Sequence, residues 1–300
     1  MKKLFLILIS ILMVLSLSAC GESNNNGGST NVKKTIIEDT TLNKLTFTVP
    51  ESTKEVTRFV VQKTDGTIVE KDISYKLESE DLISIGYMPN QVLSELMDLS
   101  NFDSYEANTQ TVYLYGSDTD KYAFIQIDKD LYAVEAQGNN AETLVKNTVD
   151  TLGFDGNGEL ILNDSDLYDI TYELPEADKN ISNSISVTED SEGNVVSKYI
   201  VFVFGEGEDV SYRLEIEVYK NTTIEELTKD SSKELTETEI NGVKYTVVDN
   251  GSDPAYRYYT QHNEDVYRIS NNGKPGWLFA DRTEESYEAL DKLLNSISFK

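Results

Sequence analysis

The chain has 300 residues, among them 53 acidic and 26 basic side chains, one histidine and one cysteine, and its formal charge is −27. A surface this acidic repels phosphate groups, which excludes nucleic-acid binding and predicts that the protein face does not adhere to anionic lipid. One cysteine cannot form an internal disulfide, and one cysteine with one histidine excludes Cys/His zinc sites and Cys–His nucleophiles.

The first segment, residues 1–19, has the layout of a secretory signal peptide. Two lysines precede an apolar run of about a dozen residues, which is too short for a permanent membrane span. Residues 17–20 (Leu-Ser-Ala-Cys) resemble the lipobox of bacterial lipoproteins. This resemblance implies cleavage before Cys20 and a diacylglyceryl group on its sulfur, so that the protein is lipid-anchored to the cell membrane and faces outside the cytoplasm. A plain signal peptide with a chance cysteine is the alternative.

The next segment, residues 20–41, is polar and rich in glycine, serine and asparagine. It has no apolar periodicity, which predicts a flexible tether between the lipid and the folded part. Ordered structure is expected from Leu42 onwards. About 280 residues would remain after cleavage, which is enough for two domains that each bury a core.

The folded part contains two copies of one sequence pattern. Residues 45–52 and 170–177 are both alternating strands that end in a Pro-Glu step. Residues 116–134 align without gaps to residues 251–269, and six of these nineteen positions are identical, which favours duplication. Two unrelated domains with chance similarity are the alternative.

The two copies predict tandem domains at 42–155 and 156–300. Each is expected to have an α+β fold, a mainly antiparallel sheet packed by helices, because runs of strands occur without βαβ alternation. In the first copy, helical patterns lie near 89–99 and 141–152. The second copy is longer, and the two long strands within 195–220 are interpreted as part of the added length.

The order of elements also resembles a known fold. An opening strand that ends in Pro-Glu, a central antiparallel meander and a final helix that closes with Ser-x-Phe resemble the PsbP-like fold. Residues 296–299 (Ser-Ile-Ser-Phe) match that close, and residues 151–154 (Thr-Leu-Gly-Phe) match it in part. The resemblance implies a scaffold for protein contacts without catalysis, and it supplies no functional residues.

The sequence predicts no catalytic residue, no cofactor and no metal centre. His262 falls in a segment that predicts a solvated hairpin tip, and neither a Gly-x-Ser-x-Gly elbow nor a Walker-type phosphate loop is present. The loop from Asp155 to Asp166 lacks the glycine at position 6 and the glutamate at position 12 of an EF-hand. A solvated linker and a weak calcium site both stay open for this loop.

The strongest candidate for a contact surface is an aromatic set near the end of the second copy. Because side chains alternate along a strand, two of its tyrosines are expected on one face of the sheet and the arginine with another tyrosine on the other. An exposed group of this composition would suit a contact hot spot, and core packing on both faces is the alternative. The candidate set is Tyr256, Arg257, Tyr258, Tyr259, Tyr267 and Trp277.

These observations favour a non-enzymatic binding or scaffolding lipoprotein whose partner is a protein or a cell-wall polymer. A second hypothesis is a receptor for a small molecule, such as a carbohydrate, that delivers cargo to a transporter. It requires a deep cleft between the domains, lined by the aromatic residues. A third hypothesis is an envelope hydrolase, which requires two close carboxyl groups, one of them with a raised pKa.

Overall fold

The structure, a computed structural model, describes residues 41–156, 158, 166–175, 179–206, 209–229, 231, 234–249, 256–272 and 283–300. The predicted signal peptide, nearly all of the predicted tether and Cys20 lie outside these ranges. No helix within the described ranges is long and apolar enough to cross a membrane.

The first half of the fold contains seven strands. A turn at Asp65-Gly66 joins the first two: Gly66 has φ +89°, and the Asp65 carboxylate accepts a hydrogen bond from the Thr67 amide. The strands are β1 (Thr53–Lys63), β2 (Ile68–Leu77), β3 (Leu82–Met88), β4 (Asp103–Ala107), β5 (Gln110–Gly116), β6 (Asp120–Ile127) and β7 (Asp130–Gln137). A short helix α1 (Leu93–Leu96) and a 3₁₀ turn (Leu99–Asn101) precede β4, and helix α2 (Ala141–Asp150) follows β7.

The second half has the same succession of elements after a short strand β8 (Ile170–Thr171). Its long strands are β9 (Asn180–Asp190), β10 (Val195–Glu206), β11 (Asp209–Tyr219), β12 (Leu235–Ile240), β13 (Val243–Asp249), β14 (Tyr256–His262) and β15 (Asp265–Asn272). The short helix α3 (Ile224–Thr228) precedes β12, and helix α4 (Glu284–Ser296) follows β15. Strand β16 (Ser298–Phe299) then pairs with β8.

The fourteen long strands form one antiparallel sheet, in the order β12-β13-β14-β15-β11-β10-β9-β1-β2-β3-β7-β6-β5-β4. Strands β1 and β9 join the two halves through facing pairs that run from Glu55 and Asp190 to Lys63 and Ser182. The predicted α+β fold is therefore wrong: the chain is mostly β, with a single large sheet. Neither β1 nor β9 contains a proline that would block pairing at its edge, so each satisfies the backbone groups of the other.

Each half repeats the same strand order, with the first three strands followed by the last four in reverse. A hydrogen bond that holds the segment before the first long strand of each half is also repeated. The buried Lys71 Nζ donates to the carbonyl oxygen of Thr41 at 2.7 Å, and the buried Lys198 Nζ donates to that of Asp166 at 3.0 Å. The limits of the two predicted domains stay a prediction, but the two halves share topology and this anchoring contact.

The two faces of the sheet have different coverings. Helices α2 and α4 pack on one face, here the helix face, through side chains such as Val145 and Leu290, over an apolar core. Alternation along the strands directs the neighbouring residues to the opposite face, here the polar face. The polar face carries Thr57, Phe59, Asp72, Glu135, Tyr199, Glu217 and Arg268.

Small apolar clusters lie at both ends of the polar face. At one end, Leu93 and Leu96 of α1 pack against a cluster that includes Phe124. At the other end, side chains of α3 pack against a cluster that includes Tyr259 and Val266. The centre of the polar face, between the two short helices, positions the candidate site.

Candidate binding site on the polar face

A row of hydroxyl side chains crosses the centre of the polar face. The facing pairs of the ladder align Ser84, Ser74, Thr57, Thr188 and Ser197 on five adjacent strands. Ser74 Oγ lies 2.7 Å from Ser84 Oγ, and Thr57 Oγ1 lies 3.0 Å from Thr188 Oγ1. The two serines of the first half are buried, whereas the last three residues of the row are half-buried. The accessible part of the row therefore lies over the junction of the two halves.

Two buried carboxyl groups lie beside this row in the first half. Asp72 and Glu135 are each 2% exposed. Asp72 Oδ1 accepts from Ser74 Oγ at 2.8 Å, and Glu135 Oε1 accepts from Tyr122 Oη at 3.0 Å and from Gln137 Nε2 at 2.8 Å. The other oxygen of each carboxyl, Asp72 Oδ2 or Glu135 Oε2, is buried and has no hydrogen-bond partner among the described residues.

Burial raises the pKa of both carboxyl groups. The pKa of Asp72 lies well above 3.8, because loss of water disfavours the charged form and the negative charges of Glu70 and Glu135 add to this effect. Burial, with a smaller effect from Asp120, raises the pKa of Glu135 to about 7 against the hydrogen bonds that its carboxylate accepts. Both groups therefore hold a proton more readily than ordinary carboxyls do, and a nearby cation would favour its release.

The second half neutralises its buried acid with its own cation. Arg268 and Glu217 are both buried and form an ion pair of 2.6 Å. The guanidinium carbon of Arg268 lies 6.0 Å from the ring centres of both Tyr199 and Tyr219, and Tyr219 Oη donates to Glu217 at 2.7 Å. Burial raises the pKa of Glu217, and the positive charge of Arg268 opposes that effect.

The shared anchoring lysines, Lys71 and Lys198, together with the strand pairing inside each half, identify the equivalent positions in the two halves. Both halves contain a row of three facing residues that crosses the second, third and last strands. The equivalent rows are Asp72–Gly86–Ala133 in the first half and Tyr199–Glu217–Arg268 in the second. Glycine and alanine thus stand where the second half has its ion pair. A Cβ at Gly86 would lie 3.4 Å from Asp72 Oδ2, so the Asp72 carboxyl extends over this glycine.

The chemistry of this site is that of a hydrogen-bonding and ion-pairing surface. Among the residues that the structure describes, no group of three or more histidine, cysteine or acidic residues is arranged to hold a metal ion. The loop from Asp155 to Asp166, weighed above for calcium, lies largely outside the described ranges. Sequence reasoning missed Asp72, Glu135 and the Glu217–Arg268 pair, although the run Glu70-Lys71-Asp72 inside an apolar strand was an available signal.

The aromatic set predicted from the sequence is divided between the two faces. Tyr256 and Arg257 are exposed at the start of β14. Tyr258 is half-buried on the helix face, where its ring packs edge-on against Tyr245 at 5.9 Å. Tyr259 is buried on the polar face in the cluster under α3. The alternation along the strand is as expected, but the described members do not form one exposed surface.

The remaining aromatic candidates lie elsewhere. Tyr267 is fully buried on the helix face, with its ring 5.1 Å from Phe299. His262, expected to be solvated, is half-buried and stacks on Phe299 at 4.4 Å. Trp277 lies outside the described residues.

The junction of the halves is also where a receptor cleft was expected. Strands β1 and β9 are hydrogen-bonded neighbours there, so the sheet runs across the junction without a gap. A surface depression of about 630 Å³ lies instead between the chain after β8 and helix α4. It is lined by Glu173, Leu174, Pro175, Asp291, Lys292, Asn295 and Ser296, none of them aromatic.

Comparison with known proteins assigns this chain to no family. No family model matches the chain and no curated protein matches it, so the resemblance to the PsbP-like fold stays a prediction. Among solved structures, MucB in complex with MucA(peri) is 6% identical, with a TM-score of 0.17, and the match covers 83% of this chain and 93% of that chain. The apo immunity protein TplEi of the T6SS from Pseudomonas aeruginosa is 9% identical, with a TM-score of 0.20 and coverages of 89% and 98%. TM-scores this low do not establish a shared fold.

Proposed function

We propose that this protein is a lipoprotein, tethered by Cys20 to the outside of the cell membrane, that binds a protein or cell-wall partner through the polar face of its sheet. The observation that carries the proposal is the composition of that face. The helix face is filled with apolar side chains, as a core requires, whereas the centre of the polar face carries hydroxyls and charges. Polar groups on a buried or half-buried surface are costly unless they gain partners.

The dimensions of the sheet favour a macromolecular partner. Fourteen strands at about 4.8 Å spacing make the sheet about 60 Å wide, and the centre of the polar face lies between the end clusters that α1 and α3 cover. Small-molecule sites are usually concave and mostly apolar, which does not describe the centre of this face. The half-buried hydroxyls of Thr57, Thr188 and Ser197 offer donors and acceptors there to an extended partner.

Hydrolysis is a second candidate, because Asp72 and Glu135 are two interacting carboxyl groups with raised pKa values. A hydrolase that uses two carboxyls also needs a water between or beside them and an open path for the substrate. Both groups are 2% exposed, so turnover would require an attacking water and a substrate backbone to enter a closed site, whereas binding requires the entry of one side chain only. Robust hydrolysis of a peptidoglycan or glycan substrate, abolished by Glu135→Gln, would reverse this preference.

The membrane tether is tested with Cys20→Ala in the full-length chain. The unmodified protein is expected to incorporate labelled fatty acid and to sediment with membranes, because two acyl chains give stable anchoring. The variant should lose both properties. Equal labelling and equal membrane association of the variant would contradict the lipid anchor.

The binding face is tested by photo-crosslinking on intact cells. A photoreactive residue is placed at Ser197, in the centre of the polar face, and in a matched variant at Asn147, which is exposed on helix α2. A discrete adduct from position 197 that is absent from position 147 supports the proposal. Identical adducts from both positions, or none from position 197, would contradict it.

A further inference from the structure

We propose that Asp72 and Glu135 form a receptor for a guanidinium group, carried by an arginine side chain of the binding partner. The inference rests on the proposed binding role of the polar face and names the chemistry recognised there. It is carried by the comparison of equivalent positions in the two halves.

The second half shows how this face of the sheet holds a guanidinium. Arg268, on the last strand of its half, lies against the Glu217 carboxylate and beside the rings of Tyr199 and Tyr219. The arrangement combines a charge-assisted hydrogen bond with contacts to aromatic rings, which suits the flat and weakly hydrated guanidinium. The same fold geometry is therefore able to bury this group.

The first half has the acids for such a site without the cation. Ala133 occupies the position of Arg268, and Gly86 occupies that of Glu217. Two side chains that are long in the second half are thus short in the first, beside Asp72 and Glu135. Because both acids are 2% exposed, an incoming guanidinium has to displace the side chains that cover them. Neither acid forms an ion pair with a lysine or arginine of the described ranges.

The free oxygens of the two acids define what the ligand must supply. Asp72 Oδ2 and Glu135 Oε2 are buried without a hydrogen-bond donor from the described residues. A buried acceptor without a donor is destabilising, so a ligand that donates to both is favoured. A guanidinium carries five N–H donors in one plane and can serve two carboxyl groups at once.

Aromatic residues flank this part of the face on both sides. In the ladder, Phe59 faces Asp72 from strand β1, and Phe124 faces Ala133 from strand β6. Rings at these positions favour a guanidinium over a compact, strongly hydrated ammonium.

The test uses the full-length protein in detergent and a fluorescent acetyl-Gly-Gly-Arg-Gly-Gly amide as the probe. The arginine peptide is expected to bind, its lysine analogue more weakly, and its glutamine analogue not measurably. Asp72→Asn and Glu135→Gln should each lower the affinity about tenfold, because each removes one charged acceptor. Glu239→Gln, which makes the same change at an exposed residue of strand β12, is the matched control and should leave the affinity unchanged.

A second variant, Ala133→Arg, tests the same site without removing an acid. It places an arginine where the second half has Arg268, so it should abolish binding of the arginine peptide. Equal affinity for the arginine and glutamine peptides, equal losses in Glu239→Gln and Glu135→Gln, or unchanged peptide binding by Ala133→Arg would overturn the proposal. If crosslinking from Ser197 persists in that case, only the guanidinium receptor is refuted. If crosslinking is also absent, the proposed function falls with it.

Discussion

The two halves of the sheet bury acids on the same face but stabilise them by different means. Glu217 in the second half has an arginine beside it. Asp72 and Glu135 in the first half have hydroxyl and amide donors, and burial raises their pKa values. Contacts that anchor the chain are alike in both halves, so the contrast is concentrated on the polar face. The proposed function assigns binding to the first half and a structural role to the ion pair of the second.

The largest effect is expected from breaking the ion pair of the second half. Arg268→Met leaves Glu217 buried without its cation, which should lower the free energy of unfolding by about 3–5 kcal/mol. Urea denaturation measures this loss. The double variant Glu217→Gln/Arg268→Met removes both charges and should recover most of the stability. A loss below about 1 kcal/mol in the single variant would show that the pair is not the structural element inferred here.

The buried acids of the first half should make the free energy of unfolding depend on pH. The pKa of Glu135 is raised from 4.5 to about 7, so the folded protein binds a proton more tightly than the unfolded chain. The resulting stabilisation is complete below pH 4.5 and is lost as the pH rises through about 7, a loss of roughly 3 kcal/mol. Asp72, Asp120 and Tyr122 also face or influence this carboxyl.

Glu135→Gln should flatten this part of the stability profile, because an amide does not titrate. The measurement is the free energy of unfolding at several pH values between 4 and 8. Glu239→Gln, an exposed residue in the second half, should keep the slope of the unmodified protein. A stability that instead rises from pH 4.5 to 7 in the unmodified protein and not in Glu135→Gln would reverse the sign inferred for this group.

Where the halves are alike, matched substitutions should have matched effects. Lys71→Met and Lys198→Met each keep a long side chain but remove the donor to the carbonyl oxygen of Thr41 or Asp166. Each is expected to lower the free energy of unfolding by about 2 kcal/mol, the size of a hydrogen bond to a charged group. Thermal unfolding of the two variants provides the comparison. A strongly unequal pair of losses would show that the shared contact does not serve the halves equally.

Most local elements were predictable from the sequence, but their assembly was not. The strand predicted at 45–52 is wrong, since only an isolated bridge from Thr46 to Gly153 forms there, and the helical pattern near 89–99 yields only the short helix α1. The run at 116–134 and its counterpart at 251–269 do contain equivalent strands. The pairing of β1 with β9 was missed because it joins residues far apart in the chain, and alternation does not select a strand's neighbour. For the same reason the strands within 195–220 were interpreted as added length, although their places in the sheet match those of β2 and β3.

The candidate site was less accessible to sequence reasoning than the strands. Acids are so frequent in this chain that Asp72 and Glu135 did not stand out, and their strands are not adjacent in the sequence. Their significance depends on Gly86 and Ala133, which become informative only when the ladder aligns them with Glu217 and Arg268. The aromatic set was chosen by composition, and composition does not tell which side chains α3 and α4 cover.

The smallest effect on stability is expected at Gly86, and it separates binding from folding. Gly86→Ala reduces the freedom of the unfolded chain, worth about 0.4–1 kcal/mol, but it places a methyl group 3.4 Å from Asp72 Oδ2. These effects oppose each other, so the free energy of unfolding should change by less than about 1 kcal/mol. The affinity for the arginine peptide should fall several-fold, because the added methyl group contacts the Asp72 carboxyl and takes up space beside its free oxygen.

The matched change in the second half, Glu217→Ala, leaves Arg268 buried without its acid and should destabilise the fold by several kcal/mol. Urea denaturation and peptide titration of the two variants give both quantities. If Gly86→Ala unfolds the protein as strongly as Glu217→Ala does, the glycine serves packing and not a ligand site. If it changes neither stability nor affinity, the position of the Asp72 carboxyl does not matter for binding. A loss of affinity at nearly constant stability is the result that assigns binding to the first half of the sheet and structural support to the second.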